Sequence, residues 1–276
     1  MKNSVSGFID LEGGKLYYEI CGTGPFLVLT HAGFVDSAMW DSQWEDFTRS
    51  YRAIRYDMIG YGKSSPAQGP ICRRDDLYAL LQQLGVERAF LLGCSMGGEL
   101  TLDLALEHPQ MAAGLVLVSS TPSGFQPQGA PPANLLDMIA ATQQGDLERA
   151  SELQIRIWVD GPFRQPEQVD AGVRQRAAKM NHISVKNDTW ARADLKPLRP
   201  LVPPAIQRLE QVGVPTLVID GALDDPEILR AGEILHTQIP GAKKVILPES
   251  AHVPNMEKPA EFNQAVLSFL NEARLA

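Results

Sequence analysis

Cysteine is scarce in this chain: Cys21, Cys72 and Cys94 are the only three among 276 residues. An odd number with no C-x-x-C pair does not suit a disulfide framework or a cysteine zinc site, and it fits a reducing compartment. No H-E-x-x-H occurs either, so neither a metal nor a metal-borne activity is expected. Positive charge is also short, with 25 Lys and Arg against 33 Asp and Glu and a formal charge of −8. The longest basic stretches are the pairs Arg73-Arg74 and Lys243-Lys244, which argues against nucleic acid or an anionic membrane as a partner. Long apolar runs are missing too. Nothing approaches the roughly 18 consecutive apolar residues of a membrane span, and the stretch Met1 to Gly7 lacks the apolar core of a secretory signal. The expectation is a cytoplasmic protein. Its composition, 44% hydrophobic and 21% charged, is that of an ordinary globular chain.

What is present is a rhythm of buried strands and helices. Phe8–Leu11 and Lys15–Ile20 read as a hairpin around Gly13-Gly14. Apolar runs at 26–30, 53–56, 89–92, 115–119, 216–219 and 245–247 read as strands buried on both faces. Helical patterns fall between several of them. Asp76–Leu84 carries Leu77, Leu80, Leu81 and Leu84 on one face, Gly98–Glu107 stops before Pro109, and Pro259–Ala273 repeats Phe262, Val266, Phe269 and Leu270. Strands alternating with helices predict an α/β fold with a mostly parallel sheet covered on both faces. From 123 to 212 no strand-like run appears, and helices are expected near 134–142, 147–159, 167–180 and 204–212. The chain thus divides into a core domain, 1–122 with 213–276, and a helical cap inserted at 123–212 over the carboxyl ends of the strands, where open sheets bind ligands.

Gly93-Cys94-Ser95-Met96-Gly97-Gly98 spells G-x-S-x-G where a buried strand meets a helix. Small neighbours allow the tight, strained turn that projects Ser95 Oγ from the sheet edge. A serine nucleophile needs a base, and the base needs an acid to hold its tautomer. His108 and His236 fall in or at the ends of helical patterns and His182 falls in the cap, whereas His252 follows a strand on the loop before the last helix. Asp220-Gly221-Ala222-Leu223-Asp224-Asp225 closes another strand; adjacent side chains diverge, so only one of Asp224 and Asp225 faces His252, and Asp224 is favoured. Gly60-Tyr61-Gly62-Lys63-Ser64 lacks the third glycine of a dinucleotide fingerprint, and Asp57 stands where a phosphate loop has its first glycine, so no cofactor is expected.

Over essentially its whole length the sequence resembles the α/β-hydrolase fold family, whose sheet is mostly parallel and eight-stranded. The order Ser95, Asp224, His252 is the family's order. Ser250 to Pro259 resembles its histidine loop and Gly221-Ala222-Leu223-Asp224 its acid turn. Asp57 to Ser64 is similar to D-x-R-G-x-G-x-S, with Ile59 in place of arginine. His31-Ala32-Gly33-Phe34 resembles its H-G-x-x start, with Ala32 where glycine is usual. By this resemblance the oxyanion hole is built from the backbone N–H groups of Gly33 and Met96, and His31 orders the loop.

The resemblance implies a serine hydrolase of the small carboxylesterase and 3-oxoadipate enol-lactonase-like branch, acting on a small ester or lactone. Serine at the elbow argues against the dehalogenases and epoxide hydrolases of the fold, which use aspartate there. The rival readings are a C–C bond hydrolase of the meta-cleavage-product type, a cofactor-free perhydrolase or haloperoxidase, and a ligand-binding protein with little turnover. Phe34, Phe125, Trp158 and Trp190 are candidates for lining the substrate pocket, Arg156 and Arg164 are expected to be solvated, and Cys94 is expected to fill the elbow as a small buried residue.

Overall fold

The Gly-rich turn does form a hairpin, with Glu12-Gly13 at its tip joining β1 (Val5–Leu11) to β2 (Gly14–Cys21) and Leu11 opposite Gly14. The computed structural model describes residues 4–195 and 198–275; Met1, Lys2 and Asn3 of the N-terminal stretch lie outside the described residues. β3 (Phe26–Thr30), β4 (Arg52–Asp57), β5 (Ala89–Cys94), β6 (Ala112–Val118), β7 (Thr216–Gly221) and β8 (Lys243–Leu247) complete an eight-stranded sheet. Its order is β1-β2-β4-β3-β5-β6-β7-β8. β1 and β2 are antiparallel to their neighbours, and every pair from β4 to β8 is parallel.

The unbroken apolar runs have a simple cause: alternate residues of each central strand feed opposite cores. Val28, Leu91, Leu115, Leu117 and Val218 belong to one cluster, which is closed by Leu77, Leu80 and Leu81 of α2 (Arg73–Gln83) and by Leu102 of α3 (Met96–Glu107). Leu27, Leu29, Leu92, Val116 and Ile219 belong to the other. That second cluster is closed by Phe47 of α1 (Asp41–Phe47) and by Phe262, Val266, Phe269 and Leu270 of α9 (Pro259–Ala273), the stripe read from the sequence. Each such side chain contributes about 1.5–3 kcal/mol of burial.

Among the described residues no strand interrupts the chain between β6 and β7. α4 (Leu135–Gln144), α5 (Leu147–Ile155) and α6 (Ala171–Lys186) lie there. Several expected boundaries shift, among them the end of α6, which lies at Lys186 and not near 180. α5 stops at Ile155 and widens into a turn over Arg156–Asp160 that ends at Gly161, φ 73°. α6 starts at Ala171 and not near 167, because the Asp170 side chain caps it by accepting from Val173 N–H. Residues 204–212 form two short turns, Ala205–Gln207 and Leu209–Gln211, in place of a helix. After β7 come α7 (Pro226–Gln238) and, ahead of α9, the single turn α8 (Pro254–Glu257).

β3 sits between β4 and β5, so the chain winds outward in both directions from the β3–β5 pair. This is a topological switch point, where the loops beyond adjacent strands diverge and leave a crevice. Thr30 pairs with Gly93 at the carboxyl end of that crevice, which sets the loops carrying Gly33 and Ser95 side by side.

Candidate active site

Ser95 occupies φ 54°, ψ −120°, a conformation that a non-glycine residue holds only when its surroundings enforce it. The enforcement is visible. Ser95 N–H donates to Val118 O at 2.8 Å, anchoring the turn to β6, while Ser95 O accepts from Gly98 and Glu99 N–H to begin α3. Gly97 lies so near β3 that a Cβ would stand 2.4 Å from Thr30 O, and one on Gly98 would run into Ser120 Oγ. Cys94 is fully buried, its thiol pushed well above the usual range by burial, and its Sγ lies 3.6 Å from His252 O.

His252 and Asp224 are 1% and 2% exposed, and Nδ1 of the histidine lies 2.8 Å from Asp224 Oδ2. A carboxylate there accepts from Nδ1–H and leaves Nε2 as the basic nitrogen. Nε2 is buried and bonded to no protein group, so no Ser95–His252 hydrogen bond is formed in this state. Asp225 turns away and caps α7, its Oδ1 accepting from Glu227 N–H at 2.8 Å with Pro226 in the first turn. Asp220, on β7 itself, is buried beside Lys244 at 3.3 Å; burial raises its carboxyl to about 6 against the pull of that lysine.

The loop after β3 is equally constrained. His31 is fully buried, and burial lowers it to about 4, so the ring is neutral. Nδ1 lies 2.8 Å from Ala32 O and Nε2 accepts from Met58 N–H at 2.9 Å, which fixes the tautomer. A Cβ on Gly33 would lie 3.1 Å from Met96 Cε, so the two residues are in contact. Neither Gly33 N–H nor Met96 N–H is taken up by a protein acceptor among the described residues. Two unengaged donors beside a strained serine are what a developing oxyanion requires.

The pocket candidates separate. Trp158 lies 4.8 Å from the His252 ring and Phe34 6.3 Å, so both adjoin the histidine. Trp158 and Phe125 line a cavity of about 410 Å³ with Thr121, Leu135 and Ile228, although Arg230 covers the Phe125 ring at 4.3 Å. Trp190 is 40% exposed and lines a water-sized crevice with Gly33 and Tyr61, apart from the other three.

The two arginines are corrected. Arg164 is buried, donating to Asp160 O, Val159 O and Glu249 O and pairing with Glu257 at 2.6 Å. Arg156 pairs with buried Asp160, which also holds Arg174. Glu257 in turn accepts from Ala251 N–H at 2.7 Å, so the inserted segment braces the His252 loop. Sequence reading missed this brace and also Tyr61, Arg73, Asn181 and Asp194, which tie the segment to the Gly33 loop. Of these, Glu257 lies inside the histidine-loop motif and Tyr61 inside the Asp57–Ser64 motif, and the others carried no signal. Ile59 stands where the resembled motif has arginine, and Arg73 brings its guanidinium to the same loop, donating to Ile59 O at 3.0 Å. No group of three or more His, Cys, Asp and Glu side chains among the described residues is arranged to hold a metal ion, and no helix among them is long and apolar enough to cross a membrane.

A mostly parallel sheet with a strained serine between strand and helix at its switch point, and a buried Asp–His pair beyond β7 and β8, defines a class of enzyme fold built on a nucleophile elbow. The chain belongs to the alpha/beta hydrolase fold family, whose model matches residues 25–259. It is 29% identical over 271 residues to a pimeloyl-[acyl-carrier protein] methyl ester esterase of Yersinia enterocolitica, covering 94% of this chain and 98% of that protein. It is 30% identical over 286 residues to a 2-hydroxy-6-oxononadienedioate/2-hydroxy-6-oxononatrienedioate hydrolase of Paraburkholderia phymatum, covering 95% and 94%. A solved hydrolase from Pseudomonas aeruginosa superposes with a TM-score of 0.76 at 31% identity, covering 96% of this chain and 98% of that one.

Proposed function

We propose that this protein is a carboxylic ester hydrolase that cleaves a small ester or lactone through an acyl-enzyme, with 123–212 acting as a cap over the site. The observation that carries the reading is His252, buried against Asp224 with Nε2 unengaged, its carbonyl 3.6 Å from the Sγ of Cys94, which precedes the strained elbow residue Ser95. Ser95 Oγ attacks the substrate carbonyl carbon as its proton passes to His252 Nε2, and Asp224 stabilises the imidazolium. The carbonyl oxygen takes the negative charge and is held by the N–H groups of Gly33 and Met96, each worth several kcal/mol. Collapse breaks the ester C–O bond, and the alkoxide leaves with the proton from His252. Water then attacks the acyl-enzyme by the same route, releasing a carboxylic acid and restoring Ser95.

A C–C hydrolase is the second reading, favoured by the relative from Paraburkholderia phymatum. That relative's name specifies a dioate. Arg164, which touches the His252 loop, and Arg156 and Arg174 of the same segment are already engaged by Glu257, Asp160 and Glu152. A substrate without a carboxylate at the reacting end suits them better.

Release of p-nitrophenol from acetate to octanoate esters, wild type against Ser95→Ala and His252→Ala, tests the reading. Rapid release by wild type, abolished in both folded variants, is expected. Equal slow rates in all three proteins would overturn it.

A further inference from the structure

Gly33 has no side chain, so nothing of its own fixes the direction of its N–H. Its neighbours do. Ala32 O lies 2.8 Å from His31 Nδ1 and accepts from Val35 N–H at 3.3 Å; in a planar trans peptide this aims Gly33 N–H the opposite way. On the other side, the Tyr61 hydroxyl lies 2.7 Å from Gly33 O and 2.7 Å from Asp194 Oδ2, with one proton between two acceptors. Behind it stands Arg73, 2.5 Å from Asp194 Oδ1 with both side chains buried, its guanidinium 5.1 Å from the Tyr61 ring centroid. One residue on, Phe34 O accepts from Asn181 Nδ2 at 2.9 Å. Asp194 and Asn181 both belong to the segment inserted between β6 and β7. Thr189, of the same segment, donates to Gly60 O at 2.8 Å, fixing the loop that carries Tyr61.

We propose that Tyr61, held by Asp194 and Arg73, is a positioning residue for the oxyanion donor Gly33, so that docking of the inserted segment sets the geometry of the hole. The inference rests on the acyl-enzyme reading above. It follows from the tolerance of such a site. Oxyanion donors act at about 2.7–3.1 Å from the charged oxygen, and loss of one lowers kcat by about 10²–10³-fold. A glycine freed on one side keeps its donor and loses its aim.

Tyr61→Phe keeps the ring and removes the hydroxyl. With p-nitrophenyl butyrate we expect kcat to fall about ten- to a hundredfold while KM stays within about twofold, the signature of an interaction made in the transition state. Affinity for an alkylboronic acid, whose Ser95 adduct places an oxygen in the hole, falls by the same factor, and the melting temperature falls by only a few degrees as the two buried acceptors lose a donor. Asp194→Asn moves kcat and boronate affinity the same way, and it also lowers the melting temperature, because it leaves the buried Arg73 without its counter-charge. Should Tyr61→Phe fail to fold, the boronate affinity of Asp194→Asn decides. Wild-type kcat in Tyr61→Phe, with Ser95→Ala inactive, overturns the positioning role and leaves the acyl-enzyme intact. Loss of melting temperature with unchanged boronate affinity also overturns it, as packing alone. Wild-type activity in Ser95→Ala overturns both.

Discussion

Asp224 and Asp225 are adjacent in the chain and face opposite tasks: Asp224 Oδ2 lies 2.8 Å from His252 Nδ1, while Asp225 Oδ1 accepts from Glu227 N–H at 2.8 Å to start α7. The divergence makes a sharp prediction. Asp224→Asn replaces an acceptor of Nδ1–H by a group that favours the wrong tautomer, and kcat is expected to fall about 10⁴-fold with the fold kept. Asp225→Ala removes a helix cap, costing about 1 kcal/mol of stability with kcat little changed. Paired kinetics and thermal melts of the two variants check this; a larger rate loss in Asp225→Ala would reverse the assignment.

The Arg164–Glu257 pair joins the inserted segment to the His252 loop at 2.6 Å, and both side chains are buried. Burial raises the Glu257 carboxyl, and Arg164 opposes that rise. Removing one partner leaves the other charge buried, so Arg164→Met is expected to cost about 3–5 kcal/mol. The double variant Arg164→Met/Glu257→Leu recovers part of that stability. It lowers activity, because the bond from Glu257 to Ala251 N–H is gone. Urea unfolding alongside esterase assay separates the two outcomes.

How far the sequence was legible follows from how each feature is encoded. β3 and the α9 stripe are written locally, as an apolar run and i, i+4, i+7, i+8 spacing, and they were read to the residue, whereas β6 starts three residues before the expected 115. The elbow was readable because a strained turn between strand and helix demands small residues at Gly93, Gly97 and Gly98. What was not legible is long-range pairing. Arg164 looked like a surface arginine because its counter-charge, Glu257, lies far along the chain. Tyr61 sat inside a recognised motif, yet its bonds to Gly33 and Asp194 join segments 28 and 133 residues apart. Residues 204–212 misled because their apolar spacing serves two tight turns packed against α3 and α7, with Ala205 and Leu209 buried.

Trp158 stands between the His252 ring and the cavity of about 410 Å³ that it shares with Phe125 and Leu135. In an apolar pocket one methylene is worth about 1–3 kcal/mol of discrimination. Trp158→Ala enlarges the space next to His252, so the acyl chain-length optimum shifts to longer esters and kcat/KM for the acetate ester drops about tenfold. A p-nitrophenyl ester series read as kcat/KM checks it. An unchanged optimum would mean that acyl chains occupy another cavity.

The buried carboxyls with raised pKa lose their stabilising contribution as pH rises from about 4 to about 7. Burial, aided by the charge of Asp103, raises Glu99 to about 7, and burial raises Asp103 to about 6 although Ser123 donates to it at 2.7 Å. Asp36, Asp76 and Asp220 are each raised to about 6 by burial. A carboxyl raised in the folded state binds its proton more tightly there than in the unfolded chain. Its contribution is therefore complete below the unfolded pKa and lost as pH climbs through the folded one. His31 acts in the other direction: lowered from 6.5 to about 4, it contributes stability above pH 6.5 that is lost as pH falls toward 4. Glu99→Gln isolates one of these groups. It is half-buried at the start of α3, facing a cavity of about 380 Å³ with Met96. The variant is expected to match wild type near pH 4 and to exceed it by on the order of 1–2 kcal/mol at pH 8, a few degrees in melting temperature. Melting curves of both proteins from pH 4 to pH 8 decide the matter: parallel curves would mean that Glu99 titrates as it does in the unfolded chain, and a gap that widens with pH would tie the loss to its burial.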